Sequence, residues 1–574
     1  MLALADVTVS VLLMMSPTLA STRLPRCATL GAALCLCMTG AQAQNNEPTP
    51  VLNPQAIRAH AEFLGSDLLE GRATGSRGYE LAAAYVAAQF RQHGLAPVGD
   101  AKAEGEGDNS SFLHAVPLIE ATVVLPGSSA VLRRDGATIN FEFGKDYLPA
   151  ANFFNANSAL TAPLVFAGFG IDAPELKYSD FADLELQGRI AVILGGAPER
   201  FNAQAHNYYG WRETKYAALV KQGALGVIEI DAAEFERDRA QPWERAVSMS
   251  WVSEMRQLRA DDQPDERFPE LKLRFRFHAD AAAQLFGNSQ SLEQVLITAR
   301  AGDPQGFVLP GAMTLSATTG LRRVESNNVL GMVRGSDPRL QHEYVLVSAT
   351  LDHLGRGAAV NGDNIYNGLQ RNAIGVAMLL DMARSIAALP ARPRRSILFA
   401  AVTAGEKDAQ GLQHLLTAGP VAARSMVASV VLDTPLPLAR TSDVLAIGAD
   451  QSSTGNALSA AAQQQGLRIV HAEGSRDSIL SESLAPLTRA NIPALSLQSG
   501  LRPRGRHDIR ALRAEWLNSH ANQPSDDLLG TPIDAMTARE LAALNVATVM
   551  QIANQAERPI WYRSSLVHRK LNEN

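Results

Sequence analysis

Cysteine is nearly missing from this chain. Only three of its 574 residues are cysteine, Cys27, Cys35 and Cys37, and all fall within the first 43. From Gln44 onward the chain therefore offers no disulfide, no thiolate metal ligand and no cysteine nucleophile. Basic blocks are also missing, and the formal net charge is a mild −6, which excludes the usual electrostatic footprint of a nucleic-acid binder. No acidic run is long enough to read as a disordered tail. No stretch has the eighteen or more consecutive apolar residues that a membrane span requires. Leu34–Cys37 carries only a faint trace of a lipid-attachment pattern, and Val7–Leu13 is too short and too soon followed by Ser16 and Pro17 to be an anchor.

The amino terminus instead has the order of an export signal. Arg23 and Arg26 are a positive region, Cys27–Met38 an apolar run, and Ala41-Gln42-Ala43 a small-x-small cleavage site. This predicts a signal peptide over 1–43, with translation starting at Met1 or at Met14 or Met15, and an exported product that is periplasmic or extracellular. A chain of this length exceeds one ordinary domain.

Beyond the signal, Asn53 and Pro54 open a helix through Leu64, and Ser76 or Gly78 opens another over Tyr79–His93 that ends at Gly94. Leu81, Tyr85 and Phe90 read as its core residues. From Phe112 to Thr318 short β-rich runs alternate with turns: Ala115–Leu118, Thr122–Leu125, Ser129–Leu132, Leu164–Phe169 and Ile190–Leu194. Trp243 and Trp251 fall in this part and read as packed core aromatics, with a substrate groove as the other possibility. After Asn327 the texture becomes strand–helix alternation: a run from Tyr344 that ends at Ser348–Leu351, then Arg395–Val402, Val427–Leu432, Val444–Gly448, Leu467–His471 and Ala494–Gln498, with helices Ala373–Leu389, Thr454–Gln465, Leu484–Ala490 and Ala535–Glu557 between them. That is a doubly wound α/β pattern with a mostly parallel or mixed sheet.

The stretch YVLVSATLDHLGRGAAVNGDNIYNGLQRNAIG, Tyr344 to Gly375, organises the rest. It is a buried apolar strand that delivers Asp352 and His353 at its carboxyl end, where open α/β sheets build sites. SATLDHLG, DNIYNG and NAIG resemble the first metal-binding segment of the dizinc aminopeptidases, metallopeptidase clan MH, family 28, which usually read SAHLDHLG and IYNGADDNASG. LEGRATGSRGYELAAAYVAAQFRQHGLAPVGD resembles the amino-terminal part of that family, and APLVFAGFGIDAPELKYSDFADLELQGRIAVILGGAPERF resembles the protease-associated (PA) domain often inserted in it. The resemblance implies a peptidase-like domain formed by 44–111 and 319–574, interrupted by a PA-like domain over 112–318.

It also implies a set of site positions, and this chain departs from most of them. The first histidine ligand falls on Thr350, the bridging aspartate on Arg371, the catalytic base of TAEE on Gly405, and the last histidine of YHxPSD on Asn522. Glu406 and Asp433 keep ligand positions, and Asp352 keeps its supporting place. A hydroxyl is a poor zinc ligand, and arginine has five donors, no acceptor and a permanent charge. The motifs around each position fix the register, so the departures are taken as real. The expectation is a degenerate, catalytically inactive relative that binds a peptide or protein and holds no zinc. Arg371 is expected to occupy the vacated site within a cluster with Asp352, Glu406 and Asp433, hydrogen-bonding to Asp433, Glu406 or Asp352. The alternative is an active zinc aminopeptidase. Single-metal binding rebuilt from His353 or His520 with Glu406 and Asp433, the pair His507–Asp508, a serine route through Ser348, Ser481 or Ser483, and a one-zinc cyclase on amino-terminal glutamine are weaker readings.

Overall fold

The computed structural model describes residues 50–100, 111–231, 243–287, 290–302, 305–471 and 479–572. The expected signal peptide, 1–43, lies outside them. Among the described residues no helix is long and apolar enough to cross a membrane.

The strand–helix alternation forms as expected. Tyr344–Thr350 lies between Ser396–Val402 and Met426–Val431, parallel to both, and Ala494–Ser499 continues the parallel set. Asp443–Ile447 then joins antiparallel, and Arg468–His471 pairs parallel with it at the edge. These central strands are apolar in sequence and buried along nearly their whole length, because helices cover both faces. Helix Ile374–Ala387 packs on one face with Pro54–Leu64 and Ala535–Asn554 beside it. Asn53 caps Pro54–Leu64, its Oδ1 accepting from the N–H groups of Gln55 and Ala56 at 2.9 and 3.3 Å. Phe90 is buried on the Arg77–Gln92 helix, Tyr85 is half-buried, and Leu81 turns to solvent, contrary to expectation, on the outer side of that helix.

The β-rich part differs more from its sequence reading. Ala115–Leu118, Thr122–Leu125 and Ser129–Leu132 are one strand, Leu113–Arg134, running antiparallel along Phe307–Val333. The pause at Pro126–Ser128 that reads as a turn is a bulge: Val124 pairs with Thr318, and the ladder resumes at Ser129 opposite Ser316, with Gly127 at positive φ absorbing the extra residues. A partner of matching length carries the ladder across the break.

Phe307–Val333 joins the two parts. Its carboxyl end pairs with Ser396–Val402, and its amino half pairs with Asn157–Phe166, which continues through Ile190–Leu194 and Gly226–Asp231 to Leu273–His278. Hydrogen bonding is therefore continuous across the whole sheet, and all described residues lie in one compact unit. The hydrophobic cores are nonetheless distinct. One gathers Leu52–Phe112 with residues from Val329 onward, and another gathers residues between Ala130 and Ala317. The strand Leu273–His278 alternates, with Leu273, Phe275 and Phe277 in the second core and Arg274 and Arg276 on the opposite face.

Candidate functional site

The connections at the carboxyl ends of three parallel strands converge on one cleft. Thr350 ends the first strand, with Asp352 and His353 immediately after it. Gly405 and Glu406 follow Ser396–Val402, and Asp433 follows Met426–Val431. Arg371 lies in the turn Leu369–Ala373 that leads into helix Ile374–Ala387. This is where a site belongs in an open α/β sheet.

Arg371 turns inward. Its Nε donates to both oxygens of Glu406, at 2.8 and 3.1 Å, and its Nη2 donates to Glu482 at 3.2 Å. The Arg371 and Glu406 side chains are 32% and 6% exposed. Burial alone would push the Glu406 carboxyl up. The guanidinium and the His353 imidazole outweigh it and hold Glu406 well below the usual carboxylate range. In return Glu406 holds the Arg371 guanidinium above its ordinary value. His353 is fully buried, with Nδ1 3.4 Å from Glu406 and Nε2 left without a partner.

Of the three acids Arg371 meets Glu406, and the other two carboxylates have neutral donors instead. Asp433 accepts from neutral donors: the Thr350 N–H at 2.9 Å, Thr350 Oγ1 at 3.0 Å, Asn372 Nδ2 at 2.9 Å, and Ser483 Oγ. Asp352 accepts from the N–H of Gly405 at 2.7 Å and from Thr74 Oγ1 at 3.0 Å, with the Glu406 N–H at 3.4 Å. The expected four-residue ion cluster is thus one Arg371–Glu406 pair flanked by two carboxylates held by uncharged groups. Short hydroxyl and amide donors from neighbouring loops reach each acid, so no second cation is needed.

Asn522 sits at positive φ with its Oδ1 buried and without a partner. His520 spends Nδ1 within its own turn, against Ser525 Oγ at 2.9 Å. Asp508 caps the helix Ile509–Glu515, while His507 is exposed. Sequence reasoning missed Glu482, Thr74 and Asp526, and it weighed Ser483 only as a nucleophile, not as a donor to Asp433. Asp526 accepts from the N–H groups of Gln370 and Arg371 at 3.0 and 3.1 Å and so fixes the turn that aims Arg371. It stands in the PSDD run, which was available as a signal, and Asn372 stands in NAIG; Glu482 and Ser483 lie in no motif.

These residues do not fit a metal pair. Among the described residues no three His, Cys, Asp or Glu side chains are grouped as a metal would need. The donors at the aligned positions are a hydroxyl already bonded to Asp433, a guanidinium, two engaged carboxylates and an amide. A guanidinium, at the position the resemblance assigns to the bridging ligand, would repel a cation.

The Thr350 side chain also fills the space beside Gly405. A Cβ at Gly405 would lie 2.3 Å from both Oγ1 and Cγ2 of Thr350 and 2.8 Å from its Cβ. Even an alanine-sized pair at 350 and 405 needs the two strand ends to move apart. Gly405 is not at positive φ, so Gly→Ala there would otherwise stabilise by about 0.4–1 kcal/mol. We expect the opposite sign: Gly405→Ala should destabilise by about 1–3 kcal/mol through overpacking, and Thr350→Gly in the same chain should relieve part of the loss. Denaturant melts of the two single variants and the double variant measure this coupling.

Asp352 gives a second expectation. Burial first, then the Glu406 charge, push its carboxyl up to about 7. The folded chain therefore binds this proton more tightly than the unfolded chain does. The associated stability is complete below about pH 4 and is lost as pH rises through about 7. Asp352→Asn should flatten the fall in stability between those values, an effect on the order of 2–4 kcal/mol. Thermal melts across that range test it.

Residues 328–549 match the model of peptidase family M28. A comparison with curated proteins returns no match. Among solved structures, the chain is similar to an aminopeptidase from Aneurinibacillus sp. strain AM-1, at 16% identity over 88% of this chain and 95% of that one, with a TM-score of 0.49. It is similar to BSAP, a zinc aminopeptidase from Bacillus subtilis, at 16% identity over 88% and 97%, TM-score 0.43. A peptidase M28 precursor from Shewanella amazonensis SB2B gives 16% identity over 88% and 97%, TM-score 0.44.

Proposed function

We propose, on the premise that residues 328–549 have a peptidase family M28-type fold, that this protein is an exported, non-hydrolytic member of that fold which binds peptide. The observation that carries the reading is the Arg371 guanidinium on Glu406, where a metal-dependent hydrolase needs ligands and an open coordination position. Hydrolysis also needs a group to take the proton of the attacking water. Gly405, at the position the resemblance assigns to that base, has no side chain. What is left is a cleft with peptidase-type surroundings and a locked centre. Such a cleft can retain a chain without cleaving it.

Purified protein should not turn over leucine p-nitroanilide, with or without added zinc salts. Turnover abolished by a chelator and restored by zinc would sink the reading in favour of an active aminopeptidase.

A further inference from the structure

Two stacked histidines lie outside the groups described so far. His114, on strand Leu113–Arg134, is 3% exposed. His414, on helix Gln410–Ala418, is half-buried, and the two ring centroids are 5.2 Å apart. Amides with fixed orientations set their proton positions. Asn328 Oδ1 accepts from the Thr403 N–H at 3.0 Å, and Asn328 Nδ2 donates to the Gly411 carbonyl at 2.9 Å. That Nδ2 also faces His114 Nδ1 at 3.3 Å, so His114 Nδ1 carries a lone pair and no proton. Gln257 Nε2 donates to Asp265 at 2.7 Å, so Gln257 Oε1 accepts from His414 Nδ1 at 3.0 Å.

Asn328 acts as a clasp. Thr403 and Gly411 are the two ends of the loop that carries Gly405 and Glu406, and one amide holds both. His114 is the third partner of that amide. A proton on His114 Nδ1 would point at an NH2 group. Turning the amide over would satisfy the imidazolium, but it would set oxygen against the Gly411 carbonyl and NH2 against the Thr403 N–H, and both loop bonds would be lost. A proton on His414 places a cation in the same buried stack, against the ring of His114.

Few charges surround the pair. Asp100 flanks it, accepting from the Ala115 N–H at 2.7 Å. Asp265 reaches His414 through the Gln257 amide, and Arg267, which donates to Gln413, is held by Glu213. Burial first holds both imidazoles below their ordinary value of 6.5, the His114 ring adds to this at His414, and Asp100 offsets part. The closed loop therefore binds these protons less tightly than a loosened one. The stability it draws from the neutral pair is complete above 6.5 and is lost as pH falls below that value.

We propose that His114 and His414 form an acid-sensitive switch: their protonation releases the Asn328 clasp and loosens residues 403–418, the segment that holds Glu406 against Arg371. The switch is independent of what the cleft binds.

Hydrogen exchange of the purified full chain, read by mass spectrometry between pH 7.5 and pH 5 and corrected for the intrinsic chemical rate, tests it. Each proton taken up on opening steepens the loss of protection by about tenfold per pH unit. Residues 403–418 should lose at least about tenfold of their protection over this range, while strands Tyr344–Thr350 and Met426–Val431 keep theirs. The local readout matters because burial also holds His60, His93 and His568 below their ordinary value, which acts on the whole fold. Asp352 acts in the opposite direction across the same range. His114→Gln with His414→Gln keeps amide partners without a titrating ring, and protection of 403–418 should then stay within about twofold. The double variant is first checked for the parent's melting profile at pH 7.5. If it does not fold, His414→Gln alone decides, and its slope with pH should be clearly shallower than the parent's. Unchanged protection of 403–418 down to pH 5 in the parent overturns the proposal without any variant. So does an equal loss in the two central strands, or a loss that persists undiminished in the histidine variants.

Discussion

Arg371→Ala should lower the unfolding free energy by about 2–4 kcal/mol at neutral pH. Removing one partner of a fully buried ion pair costs about 3–5 kcal/mol, and the figure is trimmed because Arg371 is one-third exposed. Glu406 is left in a nearly closed pocket with only His353 Nδ1 close by. The penalty depends on pH with a definite sign. In the native chain Glu406 lies below its ordinary value of 4.5, so the stability it contributes is complete above that pH and is lost as pH falls below it. In Arg371→Ala the lone buried carboxyl protonates more readily, so the difference between variant and parent should shrink toward pH 4. Arg371→Asp should cost more than Arg371→Ala, since it sets a second carboxylate against Glu406. Urea melts at pH 7 and pH 4 decide the matter. A change below about 0.5 kcal/mol at pH 7, the level of an ordinary surface pair, would show that Glu406 does not depend on the guanidinium.

Arg72→Met should be more damaging still. Arg72 is 1% exposed and donates to four main-chain carbonyls: Leu351 at 2.9 Å, Asn367 at 2.8 Å, Gly368 at 3.2 Å, and Leu64. It thereby ties the end of helix Pro54–Leu64 to the residue before Asp352 and to the turn that begins at Gly368. Burial pulls its guanidinium down to about 10, with Asp352, Asp526 and Glu406 offsetting part of that. Each buried carbonyl left without its donor costs about 1–3 kcal/mol, so a total above about 4 kcal/mol is expected. Arg72→Lys should not rescue it, because one ammonium cannot reproduce the planar fork that spans these carbonyls. Melting temperatures of the two variants provide the check; values within a few degrees of the parent would contradict the expectation.

The peptidase-like part was legible because its signals are local. Continuous apolar strands with strong caps and breakers, such as Val345–Val347 and Asn53–Pro54, form in place. Leu113–Arg134 was not legible. Pro126–Gly127 carries turn chemistry, and only the long partner Phe307–Val333 decides that the strand continues. The same division holds in the cleft. The inward turn of Arg371 was expected from the acids at the neighbouring strand ends, and Glu406 is the one it meets. Its second partner, Glu482, lies in no motif and meets it only through the tertiary fold. Asp433 and Asp352 were expected to need a cation. Thr350, Asn372, Ser483 and Thr74 show that short neutral donors at neighbouring loop ends suffice.

The most direct measurement is the metal content of protein purified without chelators, by elemental analysis, followed by calorimetric titration with zinc. With the Arg371 guanidinium on Glu406 and no three grouped His, Cys, Asp or Glu side chains among the described residues, zinc should be present far below one ion per chain, and the titration should show no tight site. About two zinc ions per chain, bound tightly and displaced only by a chelator, would contradict the account.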